Sequence, residues 1–448
     1  FVKSRAFENS QTIYTPAVHP REPYISQREK YVSPFYKREK ELGGYFDNEV
    51  ACWERAFAYE SNKEKLEKYL KEIPVRENEW DRRHVPYEIA NAEHLAMSDT
   101  AGMINLSHFP IMDIKGPDAE RMLEYLSVAK VGTNTPEGKV IYTNFLDEDG
   151  GVHADLTISR LGADSYRIVT GGADGNRDWV TLRNYRDDMG LDADIDIRTH
   201  DIATLGLWGP KAQKALGHFV DPNEVNIENF PFVTAKNLSL NLSGGKKIDV
   251  WAARISYVGE SGWEIYLNND SEDGLALYDS LLEVGVVPVG IETYANSRRL
   301  EKSFRLQGAD LESEYNACEA AIQRPLVKAA DFHGKAAHLA HREEDPCAIL
   351  CTMTLDDLNV SGTPRYPVGI SPIIDPASGE VPIDAKGRRS YTTGMSYCPS
   401  IKKFVVMGYL PKEIAIPGKS LLLEYFNENG DGVYPMTVQI AGKGSLYD

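Results

Sequence analysis

Apolar and polar positions alternate most tightly in Ile255 to Tyr266, ISYVGESGWEIY. The pattern predicts an apolar strand, a reversal between Gly259 and Gly262, and a second strand. Period-two alternation puts Glu264 and Tyr266 on one face of that strand and Trp263 and Ile265 on the other. The carboxylate is therefore either a surface group on an ordinary hairpin or part of a cavity wall.

Residues 1–60 read as a polar, aromatic-rich lead-in that needs something to pack on. Helical spacing follows from Lys63 to Ile73 and from Tyr87 to Ala101, the second with Gly102 placed as a C-cap. Strand-like MINLSHFPIMDIKG then runs through Gly116-Pro117 into an amphipathic helix, with the proline expected at its first position. The same strand, Gly-Pro and helix device recurs in LGLWGPKAQKAL, 93 positions on (116 to 209). This predicts either two related α+β halves with a cleft between them or a coincidence of helix starts. Between the copies, Val140 to Gly171 reads as three strands with turns at Asp149-Gly150-Gly151 and Gly162-Ala163-Asp164. Asp155 interrupts the second, where a carboxylate is costly to bury unless paired, so it faces water or a ligand. His153 has the same strand parity. A helix over Asp273 to Val284 precedes a basic cluster, Arg298, Arg299, Lys302 and Arg305, which suits an anionic ligand or a solvated helix face. Beyond Arg342 the chain reads as antiparallel β.

With 448 residues the chain has room for roughly two to four compact units. A net charge of −18 argues against nucleic acid or an anionic membrane as partner, since both reward a basic face. No apolar run of about 18 residues appears, so no membrane span is expected. The start, FVKSRAFENS, has neither an initiator Met nor a signal-peptide core, as in a trimmed or mature chain. Five scattered cysteines fit a reducing compartment, cytoplasm or, in a eukaryote, mitochondrial matrix. Cys347 and Cys351 read as core thiols, and with no second pair or His cluster beside them no metal site is expected.

Together the motifs resemble the aminomethyltransferase (glycine cleavage T-protein) family, and within it the folate-binding C-terminal half of dimethylglycine oxidase and of the dimethylglycine and sarcosine dehydrogenases. The matching pieces are SPFYKREKELGGYF and WER (Ser33 to Arg55), AGMINLSHF, GPDAERML, GGVHADLTISRL (Gly150 to Leu161), LGLWGPKAQKAL, YVGESGWEIY, NSRRLEK (Asn296 to Lys302) and DFHGKAA (Asp331 to Ala337). The resemblance implies an α+β fold, a three-domain ring around a central folate funnel with a C-terminal antiparallel β domain. It divides the chain into an N-terminal extension (1–80), a folate-binding region of two related subdomains (81–345) and a C-terminal β-barrel domain (346–448). It implies a tetrahydrofolate-dependent one-carbon transferase. Carried over by motif, Asp155 acts near the folate nitrogens, Tyr257 lines the pterin pocket, Glu264 hydrogen-bonds the pterin ring, and Arg299 is a further cofactor-binding residue. Asp155 and Tyr257 are the expected catalytic pair; for a methoxy donor, which needs an acid, His153 is the other candidate beside them.

Two departures bear on function. Asn105 stands where the family pattern has Asp, and Asn316 to Ala321 replaces a Thr-Pro-Leu-Glu-Ala-Gly segment. The C-terminal β region also carries an insertion, SPIIDPASGEVPIDAKGRRS. No GxGxxG fingerprint marks an FAD-binding first strand. The resemblance then implies direct demethylation of an N-methylated or other onium donor, or capture of methylene made by a flavoprotein oxidase partner or a missing FAD domain. A catalytically silent folate-binding protein is the third alternative.

Overall fold

Of the three β-sheets among the described residues, two are one sheet built twice. The computed structural model describes residue 3 and residues 28–46, 50–73, 86–132, 134–356, 370–425 and 432–446, so most of the lead-in expected over residues 1–27 lies outside the described residues. The first sheet has the order β3-β4-β5-β2-β6, from Val140–Leu146 (β3), Val152–Gly162 (β4), Ser165–Thr170 (β5), Ile111–Lys115 (β2) and Asp194–Ile197 (β6). The second has the order β11-β1-β7-β10-β9-β8, from Val287–Pro288 (β11), Gly102–Asn105 (β1), Ile202–Trp208 (β7), Gly262–Asn268 (β10), Lys247–Ala253 (β9) and Ala235–Asn241 (β8). The run β3-β4-β5-β2 reappears as β8-β9-β10-β7, with a Gly-Pro turn after β2 and after β7.

The first strand of each repeat lies in the other repeat's sheet. β1 comes just before β2 in the chain but pairs antiparallel with β7, and β6 comes just before β7 but pairs antiparallel with β2. Separating the halves would therefore break backbone ladders in both sheets.

Each sheet buries one face under its own helices. Met112, Ile114, Ile158 and Ile168 pack with the helices Ala119–Leu126 and Gly175–Asp188, and Leu205, Leu207, Val250 and Ile265 pack with Ala212–Leu216 and Ser271–Glu283. The opposite faces meet in a small apolar cluster of Ile111, Val140, Ile202, Ala235, Ala253 and Tyr266. This cluster forms the seam between the two sheets.

The third sheet is antiparallel, with the order β13-β16-β17-β12-β15-β14 over Ala348–Leu355 (β12), Ile373–Ile374 (β13), Thr392–Cys398 (β14), Lys403–Pro411 (β15), Ser420–Tyr425 (β16) and Gly432–Ala441 (β17). Val405, Met407 and Tyr409 of β15 share a core with Leu146 and Val152 of the first sheet. Mixed α and β structure with a final antiparallel sheet is the expected fold class. No helix among the described residues is long and apolar enough to cross a membrane.

Local expectations needed correction where periodicity is silent about backbone direction. The helix expected over Lys63 to Ile73 is two short ones, Asn62–Lys65 and Glu67–Leu70. The helix Tyr87–Asp99 is capped at Thr100, and Gly102 opens β1. Pro117 precedes the N-cap Asp118 instead of occupying the first helical position, because Gly116 takes φ +135° and turns the chain a residue early. Gly209 does the same at φ +130°. These glycines also allow close approach: a Cβ on Gly116 would lie 2.5 Å from the Asp192 carbonyl oxygen, and one on Gly209 2.5 Å from that of Thr100. Asp192 and Thr100 lead into the exchanged strands β6 and β1, so each turn is packed against the strand it receives.

Gly209→Ala is therefore expected to cost roughly 1–3 kcal/mol of folding free energy through strain and overlap. Gly244→Ala, at φ +73° but with open space around it, should cost less. Thermal unfolding of the two variants checks this, and equal shifts would contradict it.

Candidate active site

The acids singled out in the sequence come from the two repeats. Asp155 lies on β4 opposite Asn144 of β3, whose Nδ2 donates to Asp155 Oδ1 at 2.8 Å. Burial pushes Asp155 up to about 7; hydrogen bonds from Tyr142 and Asn144 pull it down, and the charges of Asp174 and Asp178 add to the rise. Glu264 lies on β10, 6% exposed, with Oε2 accepting from the Tyr266 hydroxyl. Burial pushes it to about 7 as well, against the lowering effect of Tyr266. Among the described residues Glu264 Oε1 has no hydrogen-bond partner.

Two tyrosines bridge the acids. Tyr257 feels the charge of Asp155, and Tyr294 feels those of Glu264 and Tyr257. Their rings are 5.2 Å apart, and Tyr294 also packs on Phe109 and Trp208 at 5.8 and 5.6 Å. Tyr294 is carried by a π-helical turn, Thr293–Arg298, a distortion common at functional sites.

Tyr142, Asp155 and Tyr257 line a concavity. Tyr142 is 45% exposed, yet burial drives its hydroxyl well above the ordinary phenol value. An outward-facing surface side chain is not desolvated in this way, so Tyr142 lines a deep concavity that water can enter. Asp155 and Tyr257 combine partial exposure with strong desolvation in the same manner.

Tyr257 was expected on a strand; Ile255 to Val258 instead leaves the sheet after β9. The Tyr257 hydroxyl donates to the Arg305 carbonyl at 2.6 Å, and its ring stacks on Phe304 at 5.8 Å. The loop holding both partners is pinned by a buried ion pair between Arg299 and Asp310. Arg299 is 1% exposed and also donates to the carbonyls of Ala295 at 2.8 Å and Phe304 at 3.1 Å. Its place is thus behind the aromatic wall.

Other basic candidates are held inward too. Arg298 pairs with Glu260 and donates to Ser98 Oγ at 2.6 Å and the Val258 carbonyl at 3.1 Å. Arg305 donates to the carbonyls of Ala320 at 3.0 Å and Gly442 at 2.8 Å. Lys328, outside the Arg298–Arg305 cluster, is buried as well and pairs with Glu124 at 3.1 Å. Neither a solvated helix face nor a free cationic patch describes Arg298 and Arg299. His153 shares a 3.0 Å hydrogen bond between Nε2 and Thr181 Oγ1, which ties it to the helix Gly175–Asp188.

The departures from the family pattern have structural partners. Asn105 Nδ2 donates to Glu39 Oε2 at 2.9 Å and Ser33 Oγ at 2.8 Å; an Asp there would set two carboxylates against each other. The insertion and the replaced segment form one unit, since Arg388 pairs with Glu319 and donates to the Glu314 carbonyl at 2.6 Å. That segment begins at Asn316, which bridges Gly151, just before the strand β4 that carries Asp155.

Tyr142, Asn144 and Tyr294 escaped the sequence reasoning, and Tyr266 entered it only as a neighbour of Glu264 on one strand face. Asn144 and Tyr142 interrupt an apolar strand as Asp155 does, and Tyr266 shares the parity of Glu264, so three of the four had a usable signal. Tyr294 had none.

The GCVT N-terminal domain family matches residues 35–329. The chain is 29% identical to human mitochondrial dimethylglycine dehydrogenase, over 80% of this chain and 38% of that protein. It therefore spans about two-fifths of the length of that curated relative. It is 30% identical to the aminomethyltransferase of Symbiobacterium thermophilum, over 73% of this chain and 83% of that one. The crystal structure of the glycine cleavage system aminomethyltransferase T from Bartonella henselae superposes with a TM-score of 0.69 at 20% identity, covering 92% of this chain and 97% of that one, so the fold is shared.

Because Asp155 and Glu264 are raised, the native state holds more protons than the unfolded chain between the ordinary carboxylate range, about 4, and about 7. Stability from these groups is present below that window and is lost as pH rises through it. The melting temperature of the ligand-free protein should fall from pH 5.5 to pH 8, and less steeply in an Asp155→Asn, Glu264→Gln double variant. An identical slope in both proteins would contradict the assignment.

Proposed function

This chain belongs to the GCVT aminomethyltransferase family, a family of folate-dependent one-carbon transfer, and from that premise we propose that it is a transferase that demethylates an N-methylated small molecule and passes the carbon to tetrahydrofolate. What supports this reading is that two desolvated carboxyls, Asp155 and Glu264, one from each repeat, are linked through the packed rings of Tyr257 and Tyr294. The residues present fit a reduced pterin. Glu264 keeps Oε1 for a ligand while Tyr266 satisfies Oε2, and a carboxylate is the natural acceptor for a fork of N–H donors.

Tetrahydrofolate, when bound, supplies the nucleophilic nitrogen that accepts the carbon. Glu264 grips the ring in its ionised form. Asp155, poised near neutrality, takes or returns the proton of the accepting centre, a role worth about 10²–10⁴ in rate. Tyr257 and Tyr294 wall the lumen and limit water. Arg299 contributes by holding the Phe304–Arg305 loop against Tyr257. An ammonium or other onium methyl suits this equipment, because its leaving group departs neutral and alignment does most of the work.

A second reading draws on the relative named dimethylglycine dehydrogenase, more than half of which lies outside the match. In it the same lumen captures methylene generated by a flavoprotein, as a partner or a neighbouring domain, giving 5,10-methylenetetrahydrofolate. The Asn105–Glu39 bond explains one of the two departures that favoured a silent folate-binding protein, and so weakens that alternative.

Incubation with tetrahydrofolate and dimethylglycine or other methyl donors, without flavin, is expected to give 5-methyltetrahydrofolate. Methylene product only when a flavin dehydrogenase is added selects the second reading; folate binding without product in either assay would overturn both. Glu264→Gln should weaken folate binding by roughly 10–100-fold, and Asp155→Asn should cut turnover by about 10²–10⁴ while retaining binding. Unchanged folate affinity in Glu264→Gln would remove the acid from its role.

A further inference from the structure

Tyr266 joins the Glu264 carboxyl to an open cleft. On one side its hydroxyl donates to Glu264 Oε2. On the other it lines an open cleft of about 610 Å³, with Arg167, Arg198, Asn237, Asp249 and Trp251. The ring is 3% exposed and fixed by packing against Trp251 at 4.9 Å, and Trp251 is in turn covered by the Arg167 guanidinium at 5.0 Å. Arg167 is locked in place by Asp113, with bonds of 2.8 and 3.0 Å. A rigid chain thus runs from the first sheet to the carboxyl of Glu264.

We propose that Tyr266 is a positioning residue for the ligand-binding acid: its hydroxyl fixes the Glu264 carboxylate and leaves Oε1 for the ligand. The proposal rests on the folate reading of the site for its consequence in binding, but the contact itself stands apart from it. Residues i and i+2 share a strand face, so the Tyr266 hydroxyl reaches Glu264 by leaning back along β10, without any other element moving. The hydroxyl cannot serve as a base, because burial and the neighbouring Glu264 charge hold it well above the ordinary phenol value. It remains a donor, and a donor to a carboxylate favours the ionised form. The other groups facing this pair are Tyr294 from the π-helical turn, Arg167 from β5, and Arg198, Glu224 and Asp249 across the cleft, with Asp155 reached through Tyr257.

Two readouts on the full chain test this. In infrared difference titration, the protonated carboxyl band lost in Glu264→Gln identifies Glu264, and burial is expected to place its wild-type midpoint at about 7. In Tyr266→Phe, which keeps the ring and loses only the hydroxyl, that midpoint should move upward. Affinity for 5-formyltetrahydrofolate, a stable probe, should fall on the order of tenfold at pH 7 and recover at pH 8.5, as loss of one charge-assisted hydrogen bond implies. Glu264→Gln should bind weakly at both pH values. An unmoved carboxyl midpoint in Tyr266→Phe overturns the proposal whatever folate does. If the midpoint moves but the wild type binds no folate, the positioning of Glu264 holds and the folate reading of the site fails.

Discussion

The exchange of strands β1 and β6 between the two repeats is the constraint on which the rest of the structure depends. Each sheet is completed by a strand from the other half, so the two non-helical faces are held in one fixed relation. Asp155 comes from one face and Glu264 from the other, and neither repeat could assemble the pair alone. The glycines after β2 and β7 belong to the same device, since any side chain there would push away the backbone leading into the exchanged strand.

Given that frame, the seam must reconcile apolar contact with buried charge. The apolar cluster around Tyr266 and Ile111 joins the sheets, and the carboxyls sit to one side of it with neutral donors, Tyr142 and Asn144 for Asp155 and Tyr266 for Glu264. Neutral donors stabilise a carboxylate only partly, so burial still pushes both acids up to about 7. An arginine beside either would have lowered it and removed its capacity to exchange a proton near neutrality. The buried arginines are instead spent on architecture. Arg299 with Asp310 sets the loop behind Tyr257, and Arg388 with Glu319 ties the inserted segment of the third sheet to the segment beside β4.

Much of this was legible in the sequence, for identifiable reasons. The repeat announced itself through Gly-Pro turns 93 positions apart, and Asp155 and Glu264 stood out because a carboxylate inside an apolar alternation needs a reason. What escaped depends on relations between distant segments. Asn144 matters because the β3–β4 register sets it opposite Asp155, and Tyr294 because a π-helical turn, which leaves no periodic trace, aims it at Tyr257. The Arg298–Arg299 cluster suggested an exposed charge patch because its partners, Glu260 and Asp310, are 38 and 11 positions away in sequence. Asn105 pointed to a damaged site until Glu39, from a segment preceding both repeats, proved to need a donor there.

The central claim is that one lumen, gripped from β10 and served from β4, receives a reduced pterin. A crystal structure of the protein with 5-formyltetrahydrofolate addresses it most directly. The account predicts the pterin edge hydrogen-bonded to Glu264, its ring against Tyr257 or Tyr294, and its reactive nitrogen turned toward Asp155. A folate bound elsewhere, or one whose ring contacts neither carboxyl, would contradict it.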